Sequence, residues 1–140
     1  MIKMTEHQSQ SALIKWCSLN ETRLSGLELI HAIANEGSGS KARGARMKRE
    51  GVKAGVPDLF LPVARGGFFG LYIENKVKGG RVRPNQKKWI VDLTDQGYSV
   101  MVSFDWERAT QIIELYFSKP PTPQWSDHSP DRKMWIENPD

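Results

Sequence analysis

The sequence has few of the residues on which disulfide-bonded and zinc-binding domains depend. Its 140 residues include one cysteine, Cys17, and three widely separated histidines at positions 7, 31 and 128. A single cysteine excludes an internal disulfide and an all-cysteine zinc site, and the histidines do not have the spacing of zinc ligands. No apolar run approaches the roughly 20 residues that a membrane span requires, and the N-terminus becomes polar too early for a secretory signal. We therefore expect one cytoplasmic domain that stays out of the membrane.

Acidic residues are scarce in two segments where basic residues concentrate, although the net charge is only +4. The first segment contains Lys41, Arg43, Arg46, Lys48, Arg49 and Lys53, opposed only by Glu50. The second contains Lys76, Lys78, Arg81, Arg83, Lys87 and Lys88. One such cluster is common on a solvated surface. Two clusters that bracket a pair of carboxylates favour binding to a polyanion such as a nucleic-acid backbone.

Those carboxylates lie in a stretch that has the form of a β-hairpin. Apolar runs at residues 59–63 and 71–77 flank a turn at Arg65-Gly66-Gly67. Because side chains alternate along a strand, Glu74 and Lys76 share one face of the second run. Burying them is costly unless they are paired, hydrated or bound to a metal, and the hairpin can bring Asp58 close to Glu74.

Each of these features also has an ordinary structural explanation. An aspartate after a proline is common at the start of a strand, and Glu-x-Lys is common as a solvated ion pair. The combination of the two with the intervening turn favours a metal-binding nuclease site.

The sequence of the N-terminal region predicts a helix followed by a strand. Thr5 and Gln8 form a capping box that starts a helix at Glu6, with an apolar stripe at Leu13, Trp16 and Cys17. Glu6 lies on the same stripe, where it could answer the helix dipole or reach the metal site. Residues 27–34 are apolar and short enough for a strand.

The central and C-terminal regions predict three more helices and one strand. Ser40 caps a basic helix that Gly51 closes, with Ala42 and Ala45 as a small packing face. Pro84 begins the next helix, which ends at Gly97 and places Gln86 towards Glu74 and Lys76. A strand over residues 98–104 and a helix capped by Asp105 follow. After Lys119, prolines block regular structure, and Trp125 and Trp135 indicate that this tail docks on its own domain or on a second subunit.

The segments Gly55-Val56-Pro57-Asp58 and Glu74-Asn75-Lys76, together with Gln86, resemble the PD-(D/E)XK nuclease superfamily. More narrowly they resemble its VRR-NUC (virus-type replication-repair nuclease) branch, in the small stand-alone form of bacteriophages and prophages. Asn35-Glu36-Gly37, the basic helix and Gln86-x-x-Trp89 match that branch as well. The similarity covers roughly residues 6–104, so we expect a nuclease domain over 1–118 and a tail over 119–140. Asn75 departs from the pattern, because this position is often apolar.

The resemblance implies an α/β fold with a mixed β-sheet flanked by helices. It implies that Asp58 and Glu74 hold Mg²⁺ or Mn²⁺ with the backbone carbonyl of Asn75, and that Glu6 is a possible further ligand. Lys76 would orient the attacking water or stabilise the transition state, and Gln86 would support Lys76 or the water. Such hard oxygen ligands suit Mg²⁺. The residues expected to contact DNA are Asn35, Lys41, Arg43, Arg46, Lys48, Arg49, Lys53, Lys78, Arg81, Arg83 and Lys87.

Stand-alone members of this branch are similar to Holliday-junction resolvases, which act as homodimers on branched DNA in the host cytoplasm. A four-way junction is therefore the favoured substrate. The tail tryptophans with Trp106, Tyr116 and Phe117 could form the dimer interface or pack within one subunit. The alternatives are a nuclease that acts on flaps or duplex ends, a sequence-specific restriction enzyme, and a non-catalytic DNA-binding module.

Overall fold

The structure is a computed structural model that describes residues 3–35 and 40–123. Its helices are α1 (Glu6–Asn20), α2 (Lys41–Arg49), α3 (Pro84–Asp95) and α4 (Trp106–Phe117), and its strands are β1 (His31–Ala32), β2 (Leu59–Leu61), β3 (Leu71–Asn75) and β4 (Ser99–Ser103). The four strands form one sheet in the order β1-β2-β3-β4. The first three are antiparallel neighbours, whereas β4 runs parallel to β3. The predicted α/β fold with a mixed sheet is confirmed.

The helices begin at the residues that their capping signals predict. The Thr5 hydroxyl accepts a hydrogen bond from the Gln8 backbone N–H at 3.1 Å, and the Gln8 side chain accepts one from the Thr5 N–H at 2.9 Å. Asp105 accepts from the backbone N–H of Arg108 in the same way at the start of α4. At its other end α3 is followed by Gly97, whose φ of +97° favours glycine.

The hydrophobic core lies between one face of the sheet and helices α1 and α4. Leu59, Leu61, Leu71 and Ile73 of β2 and β3 are fully buried there, together with Leu13 of α1 and Ile113 of α4. Side chains alternate along β3, so Tyr72 and Glu74 lie on the opposite face. Helix α3 packs on that opposite face, since its Gln86 contacts Glu74. The hairpin therefore has helices on both sides.

The segment over residues 27–34 is not the single strand that its apolar character predicts. Leu27–Leu29 form one turn of 3₁₀ helix, and only His31–Ala32 pair with β2. Gly26 has a φ of 104°, and its backbone N–H donates to the Glu28 carboxylate at 2.9 Å. This local turn uses residues that a longer strand would need.

Helix α2 differs from its prediction in how it packs. It buries no residue, and Ala42 and Ala45 are both exposed. The predicted packing face of this helix is therefore wrong. Met47 and Gly44 are the half-buried positions of α2, and its basic side chains project into solvent.

The aromatic residues of α4 pack within the chain, which is one of the two alternatives that the sequence left open. Tyr116 is buried and its hydroxyl donates to the Val63 carbonyl at 2.5 Å. Trp106 and Phe117 pack against the core. Tyr116 is therefore not available to a subunit interface, whereas Trp106 and Phe117 remain partly exposed.

The first residues of the predicted tail contact the turn between β2 and β3. The Pro120 carbonyl accepts from the Gly66 N–H at 2.7 Å, and the Thr122 hydroxyl donates to the Phe68 carbonyl at 2.7 Å. The remaining tail, including Trp125 and Trp135, lies outside the described residues, and the division at residue 118 stays a prediction. Among residues 3–35 and 40–123, no helix combines the length and the apolar character that crossing a membrane would need.

Candidate active site

The register of the β2–β3 hairpin brings the two predicted carboxylates together. Leu59 pairs with Ile73 in this antiparallel ladder, which places Asp58 beside Glu74 at the open end of the hairpin. The Asp58 carboxylate accepts a hydrogen bond from the Asn75 backbone N–H at 2.8 Å, and its backbone carbonyl accepts one from Ile33 at 2.8 Å. Asp58 is thus fixed between the two neighbouring strands.

The loop before Asp58 is held against the start of α3. Gly55 has a φ of +90°, and a Cβ atom there would lie 2.9 Å from the Asn85 carbonyl oxygen. Only glycine fits both the backbone conformation and this close approach. The Trp89 indole N–H donates to the Ala54 carbonyl at 3.1 Å. These contacts hold the loop before Asp58 against α3 at the glycine before Val-Pro-Asp and at the tryptophan three residues after Gln86.

Glu74 lies at the centre of a buried polar network. The Lys76 ammonium is 3.6 Å from Glu74 Oε1, and the Gln86 amide donates to the same oxygen at 3.1 Å. Glu74 and Lys76 are only 2% and 6% exposed. The Gln86 carbonyl oxygen accepts from the Arg83 backbone N–H at 2.8 Å, which fixes its orientation. Gln86 therefore contacts Glu74, one of its two predicted partners.

The site disfavours a negative charge on Asp58 and Glu74 at the same time. Burial raises the pKa of Glu74 to about 8, and the nearby negative charge of Asp58 adds to this effect, while Lys76 opposes it. Burial also raises the pKa of Asp58, partly offset by the hydrogen bond from Asn75. Without a bound cation, the pair therefore retains a proton at neutral pH. A cation that displaced this proton would allow both groups to ionise.

A cleft of about 370 Å³ opens beside Asp58. Its lining residues are Glu6, His7, Gln10, Ile33, Asn35, Asp58 and Asn75. The sequence had singled out Glu6, Asn35, Asp58 and Asn75 of this set. It had not identified His7 and Gln10, although Gln10 lies one helical turn after Glu6, and this spacing places both on the same face of α1.

The residues of the site suit a cation that binds oxygen ligands and keeps some of its water molecules. In the part of the chain that the structure describes, no three His, Cys, Asp or Glu side chains converge as a metal-binding group. Glu6 shares the cleft but does not complete such a cluster. Two carboxylates that repel each other, with further ligand positions left to water, match the preference of Mg²⁺ for octahedral oxygen coordination and retained water molecules.

The basic residues predicted to contact DNA are all on the surface. Those of the first segment are exposed along α2 and at Lys53, where Arg46 lies 3.8 Å from Glu50. Those of the second segment are exposed at Lys78, Arg81, Arg83 and Lys87, in the loop after β3 and the first turn of α3. Lys76 belongs to the same basic segment but was predicted to act in catalysis, and it is buried beside Glu74.

Comparisons with known proteins agree with this arrangement. A family model described as the VRR-NUC domain matches residues 3–103. A solved structure described as a VRR_NUC domain protein is similar to this chain, with 29% sequence identity and a TM-score of 0.71. The similarity covers 86% of this chain and 94% of that one. A search of curated proteins found no match. The matched region contains the whole hairpin, the carboxylate pair and Gln86, and the chain therefore belongs to the VRR-NUC domain family, which makes it a nuclease, a hydrolase that acts on DNA.

Proposed function

We propose that this nuclease is a Mg²⁺- or Mn²⁺-dependent endonuclease that hydrolyses phosphodiester bonds in branched DNA, with four-way junctions as the favoured substrate. The observation that carries the proposal is the burial of Glu74 and Lys76 next to the half-buried Asp58, which lines an open cleft. A protein that only bound DNA would gain nothing from negative charge buried beside a phosphate.

In this proposal Asp58 and Glu74 hold the cation together with the Asn75 backbone carbonyl, and Glu6 is available across the cleft. When bound, the cation would neutralise charge that develops at the phosphate and lower the pKa of a water molecule. Gln86 keeps Glu74 in one orientation through its 3.1 Å hydrogen bond.

Lys76 acts as a fixed positive charge near the reacting phosphate. Its ammonium is held 3.6 Å from Glu74 in a buried position, where little water competes for it. A preorganised donor in such a site stabilises negative charge more effectively than one in water. Lys76 would therefore orient the attacking water or stabilise the transition state.

The exposed basic residues would supply affinity for the DNA backbone. Helix α2 carries Lys41, Arg43, Arg46, Lys48 and Arg49 and buries none of its residues, which leaves these side chains free to reach phosphates. Phosphate contacts of this kind position DNA without selecting its sequence. The preference for branched DNA rests on the resemblance to junction resolvases.

A two-fold homodimer would match the symmetry of a four-way junction. One site can attack one strand at a time, and a closed dimer presents two identical sites related by a two-fold axis. Because Tyr116 is buried in the core, the interface would not use its side chain.

The test is a cleavage assay with labelled four-way junction, flap and linear duplex, each with Mg²⁺, Mn²⁺ or EDTA. We expect paired cuts in the junction with either cation and none in EDTA. Preferential cleavage of flaps or duplex ends would support the alternative nuclease. Binding without cleavage under every condition would overturn the proposal in favour of a non-catalytic module.

A further inference from the structure

Asn75 has a buried side chain whose polar atoms have no partner. The residue is 1% exposed, and neither its side-chain oxygen nor its side-chain nitrogen forms a hydrogen bond with another of the described residues. Buried polar groups in folded proteins are almost always satisfied by protein atoms or by ordered water. Within the described residues, the amide of Asn75 therefore lacks the partner that such a buried group needs.

Packing alone does not explain an asparagine at this position. Leu71 and Ile73 precede it on the same face of β3, and both are fully buried and apolar. A strand that served only the core would continue with an apolar residue, which would leave no unsatisfied amide. The polar residue occurs at the point where this face of the strand leaves the core and reaches the cleft.

The surroundings of Asn75 restrict what its partner can be. Its backbone N–H donates to the Asp58 carboxylate at 2.8 Å, and Asn75 and Asp58 line the same cleft. Asp58 and Glu6 both line the cleft, and none of its lining residues in the described part of the chain is a lysine or an arginine. Two carboxylates without a basic side chain make this cleft unfavourable for a lone anion and favourable for water and a cation.

We propose that the side-chain amide of Asn75 is a positioning group that orders water around the cation held by Asp58 and Glu74. This inference rests on the proposed metal-dependent function. The amide oxygen accepts hydrogen bonds from water bound to the cation, and the amide nitrogen donates to a second water or to a phosphate oxygen of the substrate. Mutation of a group that hydrogen-bonds to the ligands of a metal typically weakens metal binding by about 10- to 100-fold.

The test uses Asn75→Leu, which has nearly the same shape and no polar atoms. Binding of Mn²⁺ is measured by titration calorimetry, and the Tm is measured in EDTA. We expect Mn²⁺ affinity to fall by about 10-fold or more, while the Tm in EDTA stays the same or rises because an unsatisfied amide has been removed. If the leucine variant does not fold, Asn75→Ala is expected to weaken Mn²⁺ binding in the same way.

Ser9→Ala is the matched control. The Ser9 hydroxyl is also buried and has no partner within the described residues, but it lines a different groove beside Trp106. This variant should keep wild-type Mn²⁺ affinity. Unchanged Mn²⁺ affinity in Asn75→Leu would overturn the role of Asn75, and so would weaker binding accompanied by a lower Tm in EDTA. Failure of the wild-type protein itself to bind Mn²⁺ or Mg²⁺ would instead overturn the proposed metal dependence.

Discussion

The stability of the metal-free protein should fall as the pH rises, because Glu74 is buried beside a second carboxylate. In the unfolded chain Glu74 releases its proton near its ordinary pKa of 4.5, whereas in the folded protein it does so only at about 8. Between these values the folded state binds more protons than the unfolded state. The free energy of unfolding therefore decreases with increasing pH in this window, and the contribution of Glu74 is lost as the pH passes through about 8.

The size of this effect follows from the same pKa values. Each pH unit between the two pKa values lowers the free energy of unfolding by about 1.4 kcal/mol. The rise of the Glu74 pKa from 4.5 to about 8 therefore limits the total loss of stability to about 5 kcal/mol. Water that enters the adjoining cleft lowers this figure, and we expect about 2–5 kcal/mol. Glu74→Gln removes the titration while it keeps an oxygen that can accept from Gln86.

The assay is urea denaturation of the wild type and Glu74→Gln in EDTA between pH 5 and 9. The variant should gain stability relative to the wild type as the pH rises, since only the wild type must ionise a buried acid. Glu114→Gln is the matched control, because Glu114 is partly exposed and its hydrogen bond from Arg23 lowers its pKa. The effect of Glu114→Gln on the free energy of unfolding should be the same at every pH between 5 and 9. A difference between Glu74→Gln and the wild type that does not change with pH would refute the reasoning.

Three further predictions concern catalysis, DNA binding and assembly. Asp58→Ala and Lys76→Ala should each abolish cleavage and leave junction binding largely intact in a gel-shift assay; binding lost in proportion to activity would contradict this separation of roles. Arg46→Ala with Arg49→Ala should weaken binding to DNA of every shape and reduce the slope of log K against log[salt] by about one for each phosphate contact removed; an unchanged slope would mean that α2 faces away from DNA. Light scattering at micromolar concentration should give twice the chain mass of 15.9 kDa, and a monomer that still makes paired cuts would exclude the dimer.

Much of the fold could be predicted because its signals are local. The capping box at Thr5 and Gln8, Pro84 at the start of α3 and Asp105 before α4 each satisfy backbone N–H groups or suit the backbone conformation within a few residues. The hairpin was equally accessible, because its turn and its two apolar runs are contiguous in the chain. The wrong predictions are the single strand over residues 27–34, where a local turn at Gly26 and Glu28 replaces its first half, and the packing face of α2, because apolar character and small side chains do not show whether another element covers them.

The sequence by itself identified the groups that the candidate site brings together. The hairpin pattern and the resemblance to PD-(D/E)XK nucleases pointed to Asp58, Glu74, Lys76 and Gln86. These signals depend only on residue types and on their spacing along the chain. The sequence also indicated the two basic segments, since charge density needs no three-dimensional information.

Only the tertiary structure decided how these groups interact. The contact of Gln86 with Glu74 depends on α3 packing against the sheet, and the raised pKa of Glu74 depends on burial and on the approach of Asp58. The cleft that adds His7 and Gln10 forms where α1 passes the ends of the strands. The unsatisfied amide of Asn75 is likewise a property of the packed molecule, because burial is set by the whole chain and not by neighbours in sequence.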